Sequence, residues 1–138
     1  MTRVFCLDTN VVIFATNIRR PKVARQVDAE LAAGTRLMIP TIVLFELEYG
    51  IAKSDRRETS RAALDIFLSA GFERPSFDEE DAREAGQIRA YLERRGSPIG
   101  AYDVLIAAQA RRRAATLVTS NTREFERIPG LKLVDWAA

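Results

Sequence analysis

Histidine is absent from this 138-residue chain, and cysteine occurs once, at Cys6. The first absence removes a histidine general base, a Ser-His-Asp triad and imidazole metal ligands. The second excludes an intrachain disulfide and a cysteine-based zinc site. Cys6 lies inside the apolar run Val4-Phe5-Cys6-Leu7, where a buried filler is expected rather than a reactive thiol. No apolar stretch approaches the ~20 residues of a membrane span. Met1-Thr2-Arg3 runs straight into a strand-like segment without the apolar region and cleavage site of a signal peptide, so a cytoplasmic location is expected. Aromatic residues are sparse, at 8%, and are not interleaved with basic ones as in a stacking surface for single strands.

What is present is the balance of an ordinary folded chain. Hydrophobic residues make up 47% and charged residues 29%, which suits one domain, residues 1–138, burying roughly two-thirds of its unfolded surface. The net charge of +2 is a mild bias toward polyanionic partners. Nothing reads as a linker, a repeat or a low-complexity tract.

Short apolar runs alternate with stretches of helical period. Val4 to Leu7, Arg36 to Ile39, Thr116 to Thr119 and Leu131 to Val134 read as buried strands, and Phe72 to Phe77 as a weak edge strand interrupted by Pro75. Helices are expected after Asp8, from Pro21 to Gly34, from Thr41 to about Lys53, from a cap at Thr59 or Ser60 to Gly71, from a start at Ser76 and the acidic run after it to the stop at Arg94-Arg95-Gly96-Ser97-Pro98, and from Tyr102 to Arg113. This alternation predicts an α/β fold of three layers, with helices on both faces of a mostly parallel sheet of four to five strands. Ligands of such sheets bind beyond the carboxyl ends of strands, where strand order reverses, and Asp8 and Asn121 both follow apolar strands at that edge.

Asp8 closes one apolar run, and Asp103 opens a helix that is apolar almost all round, Val104 to Ala110. Neither has a Lys or Arg within two residues, so the counter-charge must come from elsewhere in the fold, from solvent or from an ion. In the helix from Thr41, Glu46 is surrounded on its face by Ile42, Val43, Tyr49 and Gly50, and Glu48 by Leu44, Phe45, Ile51 and Ala52. Spacing does not separate these two glutamates. The run Asp78-Glu79-Glu80-Asp81 precedes Ala82, Ala85, Ile88 and Leu92 at helical spacing, and reads as a solvated helix start rather than a second metal site. Arg19, Arg20, Lys22, Arg25 and the triplet Arg111-Arg112-Arg113 are candidates for phosphate contact, although the triplet reads better as a solvated helix end.

Four blocks in consistent order carry a resemblance. Leu7-Asp8-Thr9-Asn10, Glu46-Leu47 followed by Gly50, Ile99-Gly100-x-Tyr102-Asp103-x-Leu105-Ile106-Ala107-Ala108, and Leu117-Val118-Thr119-Ser120-Asn121 resemble the PIN-domain nucleases. The further run Asn121-Thr122-Arg123-Glu124-Phe125, with Ile128-Pro129-Gly130-Leu131 and Asp135-Trp136, is similar to the VapC toxins within that family. The resemblance spans nearly the whole chain. It implies an acidic triad of Asp8, Glu46 and Asp103, and so selects Glu46 over Glu48. It places Asn121 where many relatives have a fourth acid, and Ser120 where toxin relatives often have Asn.

The resemblance further implies a Mg²⁺- or Mn²⁺-dependent endoribonuclease, the toxic half of a toxin–antitoxin pair. Asp8 and Asp103 would bind the ion directly, Glu46 would act through water, and Asn121 would lend its amide oxygen. A homodimer is expected, inhibited by a small antitoxin whose C-terminal segment enters the active-site groove. Oxygen-only ligands favour those hard ions over zinc, and they allow phosphodiester hydrolysis without histidine. Thr9, Asn10 and Thr119 are candidates to hydrogen-bond the carboxylates. Two other classes compete. A phosphatase with Asp8 as nucleophile lacks its usual second acid, replaced by Asn10, and a suitably placed lysine. A non-catalytic module binding RNA or a partner has no use for acids facing phosphate.

Overall fold

Strands only three or four residues long survive inside a protein when their neighbours cover both faces, and parallel pairing arranges that. The computed structural model of the protein describes residues 3–17 and 21–138. Strands β1 (Val4–Leu7), β2 (Arg36–Met38), β3 (Thr116–Val118) and β4 (Lys132–Val134) form one parallel sheet in the order β2-β1-β3-β4. Helices α1 (Thr9–Thr16), α2 (Pro21–Ala32), α3 (Thr41–Ala52), α4 (Arg57–Leu68), α5 (Glu79–Arg94), α6 (Ala101–Arg112) and α7 (Thr122–Phe125) flank it and complete the three layers. β1 is central, pairing Cys6 with Met38 on one side and with Leu117 on the other. Cys6, Leu7, Leu117 and Val118 are wholly buried there. Burial, with Asp8 nearby, pushes the Cys6 thiol far above its ordinary range, as suits filler.

The fifth strand candidate does not form. From Phe72 to Phe77 only Glu73 bridges to Met38, because Pro75 has no N–H with which to continue a ladder. Its carbonyl is used instead by the Thr41 N–H at 3.1 Å and the Gln109 amide at 3.0 Å. α4 starts at Arg57, ahead of the expected caps, and Thr59 and Ser60 lie within its first turn. No helix among the described residues is long and apolar enough to cross a membrane.

The acidic run is the expected capped helix start, with Asp78, Glu79 and Glu80 exposed, but Asp81 is buried and the arginine triplet binds this end of the helix rather than facing solvent alone. Asp78 caps α5 through the Asp81 N–H at 2.9 Å, and Asp81 accepts from the Asp78 N–H at 3.0 Å. Asp81 has no exposed surface. Its carboxylate receives Arg112 Nε at 2.7 Å and Arg113 Nη1 at 2.8 Å from the end of α6. Arg112 also reaches Asp78 at 2.7 Å and Glu80 at 2.9 Å, while Arg111 pairs with Glu84 at 2.7 Å and donates to the Pro129 carbonyl at 2.9 Å. The triplet is therefore occupied in joining two helices and is not free for phosphate. Arg19 and Arg20 lie outside the described residues. Lys22 donates to the Ala138 carbonyl, and Arg25 is exposed.

Candidate active site

The sheet order reverses beside β1, since the chain moves from β1 to β2 on one side and later to β3 on the other. The carboxyl ends of β1 and β3 thus open a crevice between two sets of connections. Asp8 sits in it, as the residue that ends β1 and caps α1. Its Oδ1 accepts from the Thr9 N–H at 2.8 Å and its Oδ2 from the Thr119 hydroxyl at 2.8 Å. Both oxygens are held in place, and the side chain is buried. The Thr119 hydroxyl in turn accepts from the Asn121 N–H at 3.0 Å, so the turn after β3 orients the acid after β1.

Thr9 also donates its hydroxyl to Glu46 Oε1 at 2.7 Å, tying α3 to the same place. Glu48 is elsewhere: it is exposed and paired with Arg61, which holds its carboxyl below the usual range. Asp103 belongs to the first turn of α6 and makes no hydrogen bond or ion pair with any described residue. Of the expected supports, Thr9 and Thr119 bind carboxylates; Asn10 is exposed and does not.

The acids act on one another through their charge. Burial raises the Asp103 pKa, and the negative charges of Asp8, Glu46 and Glu124 carry it further, to about 6. Asp8 is likewise raised, first by burial and also by Glu46, against the lowering effect of its bonds to Thr119 and Thr9. No basic side chain is paired with Asp8, Glu46 or Asp103 among the described residues. Glu124 was not singled out in the sequence. Asn121 donates its amide to Glu124 Oε2 at 3.0 Å, which places an acid one helical turn after position 121. The signal was present as Asn-x-x-Glu, the spacing of a capping box.

Among the described residues no three His, Cys, Asp or Glu side chains are close enough together to hold a metal ion as they stand. Mg²⁺ does not require such a cage, because it keeps several waters and takes one or two carboxylates. Uncompensated carboxylates and an absence of softer donors suit a hard dication. Two surfaces adjoin the acids. Phe45 and Tyr102, each next in sequence to one of them, meet edge to face with ring centres 5.2 Å apart and both half exposed. The pair comes from different helices, α3 and α6, so it leaves no interleaved pattern along the chain. A groove of about 650 Å³ between α1, α3 and α4 has an apolar floor of Val12, Leu47, Ile51 and Leu64 with hydroxyl and amide side chains at its edges, and Glu46 and Arg56 are its only charged residues among those described.

A model of the PIN domain matches residues 5–131. The chain is 40% identical over 132 residues to the tRNA(fMet)-specific endonuclease VapC of Salmonella typhimurium strain LT2, covering 96% of this chain and 97% of that one. It is 40% identical over 133 residues to ribonuclease VapC2 of Rickettsia felis, covering 96% and 98%. Among solved structures it matches VapBC2 from Rickettsia felis bound to a promoter DNA fragment, with a TM-score of 0.90 at 38% identity over 96% of this chain and 98% of that one. It also matches DNA-bound VapBC from Salmonella typhimurium, with a TM-score of 0.88 at 40% identity over 99% of each chain.

Proposed function

The chain belongs to the PIN-domain family, and from that membership we propose that it is a divalent-metal-dependent endoribonuclease, the toxin of a VapB–VapC-type pair. The observation that carries this reading is that Asp8, Glu46 and Glu124, from three separate parts of the chain, all press their negative charge on Asp103, while no basic side chain among the described residues is paired with Asp8, Glu46 or Asp103. Such an arrangement destabilises the empty site and favours a dication in it.

Asp8 and Asp103 are the proposed direct ligands of Mg²⁺ or Mn²⁺. When bound, the ion supplies an acidic water and positive charge opposite the reacting phosphate. Thr9 and Thr119 keep Asp8 in one orientation, so the ligand is set before substrate arrives. Glu46, fixed through Thr9, orients the attacking water and takes up its proton. Asn121 holds Glu124 and offers its amide oxygen as a further, uncharged contact. An RNA phosphate facing these acids without a metal would be repelled, which favours the nuclease over a non-catalytic binder.

The purified protein is expected to cleave RNA only with Mg²⁺ or Mn²⁺, and Asp8→Asn to lose cleavage by at least about 100-fold. Equal rates in wild type and variant would dismiss the metal-site assignment. Because one relative carries the name of a tRNA(fMet)-specific endonuclease, tRNA is the first substrate to offer. The complexes that relatives form point to a VapB-like antitoxin, and we assign its C-terminal segment to the apolar groove between α1, α3 and α4. The exposed Phe45, Tyr49 and Tyr102 are the surface we assign to the homodimer.

A further inference from the structure

Two helices of this molecule place an aspartate at the same position of their first turn and use it in opposite ways. In α5 the residue is Asp81, which folds back to accept the N–H of the cap residue Asp78 and is consumed by the fold. In α6 it is Asp103, whose cap residue is Gly100 and whose carboxylate makes no such return bond. The backbone does not explain the glycine. Gly100 has φ −55° and ψ 146°, an ordinary extended conformation open to any residue, whereas Gly34, Gly71, Gly96 and Gly130 all have positive φ. Helix stability does not explain it either, since a serine at that position would cap α6 at least as well.

Space explains it. A Cβ at Gly100 would lie 3.1 Å from Asp103 Oδ2 and 3.7 Å from its Cγ, and apart from its chain neighbours would meet nothing else within 4 Å among the described residues. The first of these distances is too short for an ordinary contact, so the carboxylate would have to shift by a few tenths of an ångström. Mg²⁺ tolerates little of this, because it demands near-ideal octahedral geometry at about 2.1 Å.

We infer that Gly100 is a positioning residue for the metal site: its missing side chain leaves the space in which the Asp103 carboxylate lies at the start of α6, free of a helix cap and available to the ion. The inference rests on the proposed role of Asp103 as a ligand. A metal-free Gly100→Ala protein is expected to melt near wild type, because a poorer cap is offset by a less flexible unfolded chain. Its Mg²⁺ requirement is expected to rise about tenfold, read as the concentration giving half of the metal-induced shift in Tm. Gly100→Ser carries the same Cβ with a good cap, and is expected to behave likewise, so a folding defect in the alanine variant does not decide the matter.

Combining Gly100→Ala with Asp103→Asn should weaken Mg²⁺ binding no further than Asp103→Asn alone, because the glycine acts only through that carboxylate. A wild-type Mg²⁺ requirement in both Gly100 variants, while Asp103→Asn binds weakly, would overturn the positioning role and leave the ligand assignment standing. So would additive losses in the double variant. Wild-type Mg²⁺ binding by Asp103→Asn would instead remove the ligand assignment, and the role of Gly100 with it.

Discussion

Glu46 and Glu48 stand two positions apart on one helix with equally apolar neighbours along the chain, yet they end in opposite circumstances. Glu46 receives the Thr9 hydroxyl and adds its charge to Asp8 and Asp103; Glu48 is exposed and neutralised by Arg61. An unpaired acid among other acids is poised for chemistry, whereas a surface ion pair contributes little to anything. Glu46→Gln is therefore expected to lower the RNA cleavage rate by about 100-fold or more, in line with loss of a proton-transfer group. Glu48→Gln should leave both cleavage and thermal stability close to wild type. Equal loss in the two variants, measured under single-turnover conditions, would contradict the division of roles.

At the scale of elements, the charged ends of α5 and α6 act as a clamp on the side of the fold that the site does not use. Burial alone would raise the Asp81 pKa, but hydrogen bonds from Arg113 and Arg112 outweigh it and bring the carboxyl down to about 2. The folded state then holds fewer protons than the unfolded one between about pH 2 and the ordinary value of 3.8. The clamp's stabilisation is present in full above that window and disappears as pH falls through it. Asp81→Asn should cost about 2 to 3 kcal/mol at neutral pH, somewhat under the range for a fully enclosed pair, because the arginines keep contact with water. It should also flatten the acid limb of stability, which urea unfolding at pH 7 and pH 3 would reveal. An acid limb of unchanged slope in the variant would place the titration elsewhere.

Over the whole molecule, the proposed active site and the groove between α1, α3 and α4 share Glu46, so a partner that fills the groove would also touch that acid. On the proposed assignment, recognition in the groove and inhibition at Glu46 would be one event. Ala63 lines the groove from α4, and Ala63→Trp should fill it. The variant is expected to bind the cognate antitoxin at least about tenfold more weakly, the scale on which a steric block removes a central contact. Its RNA cleavage in the absence of antitoxin should persist. Undiminished capture of the antitoxin by the purified variant would move the binding surface elsewhere.

The chain's local order already contained much of this. Apolar runs such as Val4 to Leu7 and Thr116 to Val118, each flanked by turn chemistry, announce buried strands because the side-chain period is a property of neighbouring residues. The lack of histidine and the isolation of Asp8 and Asp103 from nearby cations likewise needed no coordinates, and they already pointed to carboxylate and metal chemistry. Other features depend on which distant segments meet. Arg112 reaches Asp81 across 31 positions, Thr119 reaches Asp8 across 111, and Glu124 acts on Asp103 from a four-residue helix. Periodicity reports the face a residue occupies, but the charge it faces is set by the packing of helices on the sheet. That packing, and not the local pattern, turned an arginine triplet into a clamp, separated Glu46 from Glu48 and brought a fourth acid to the site.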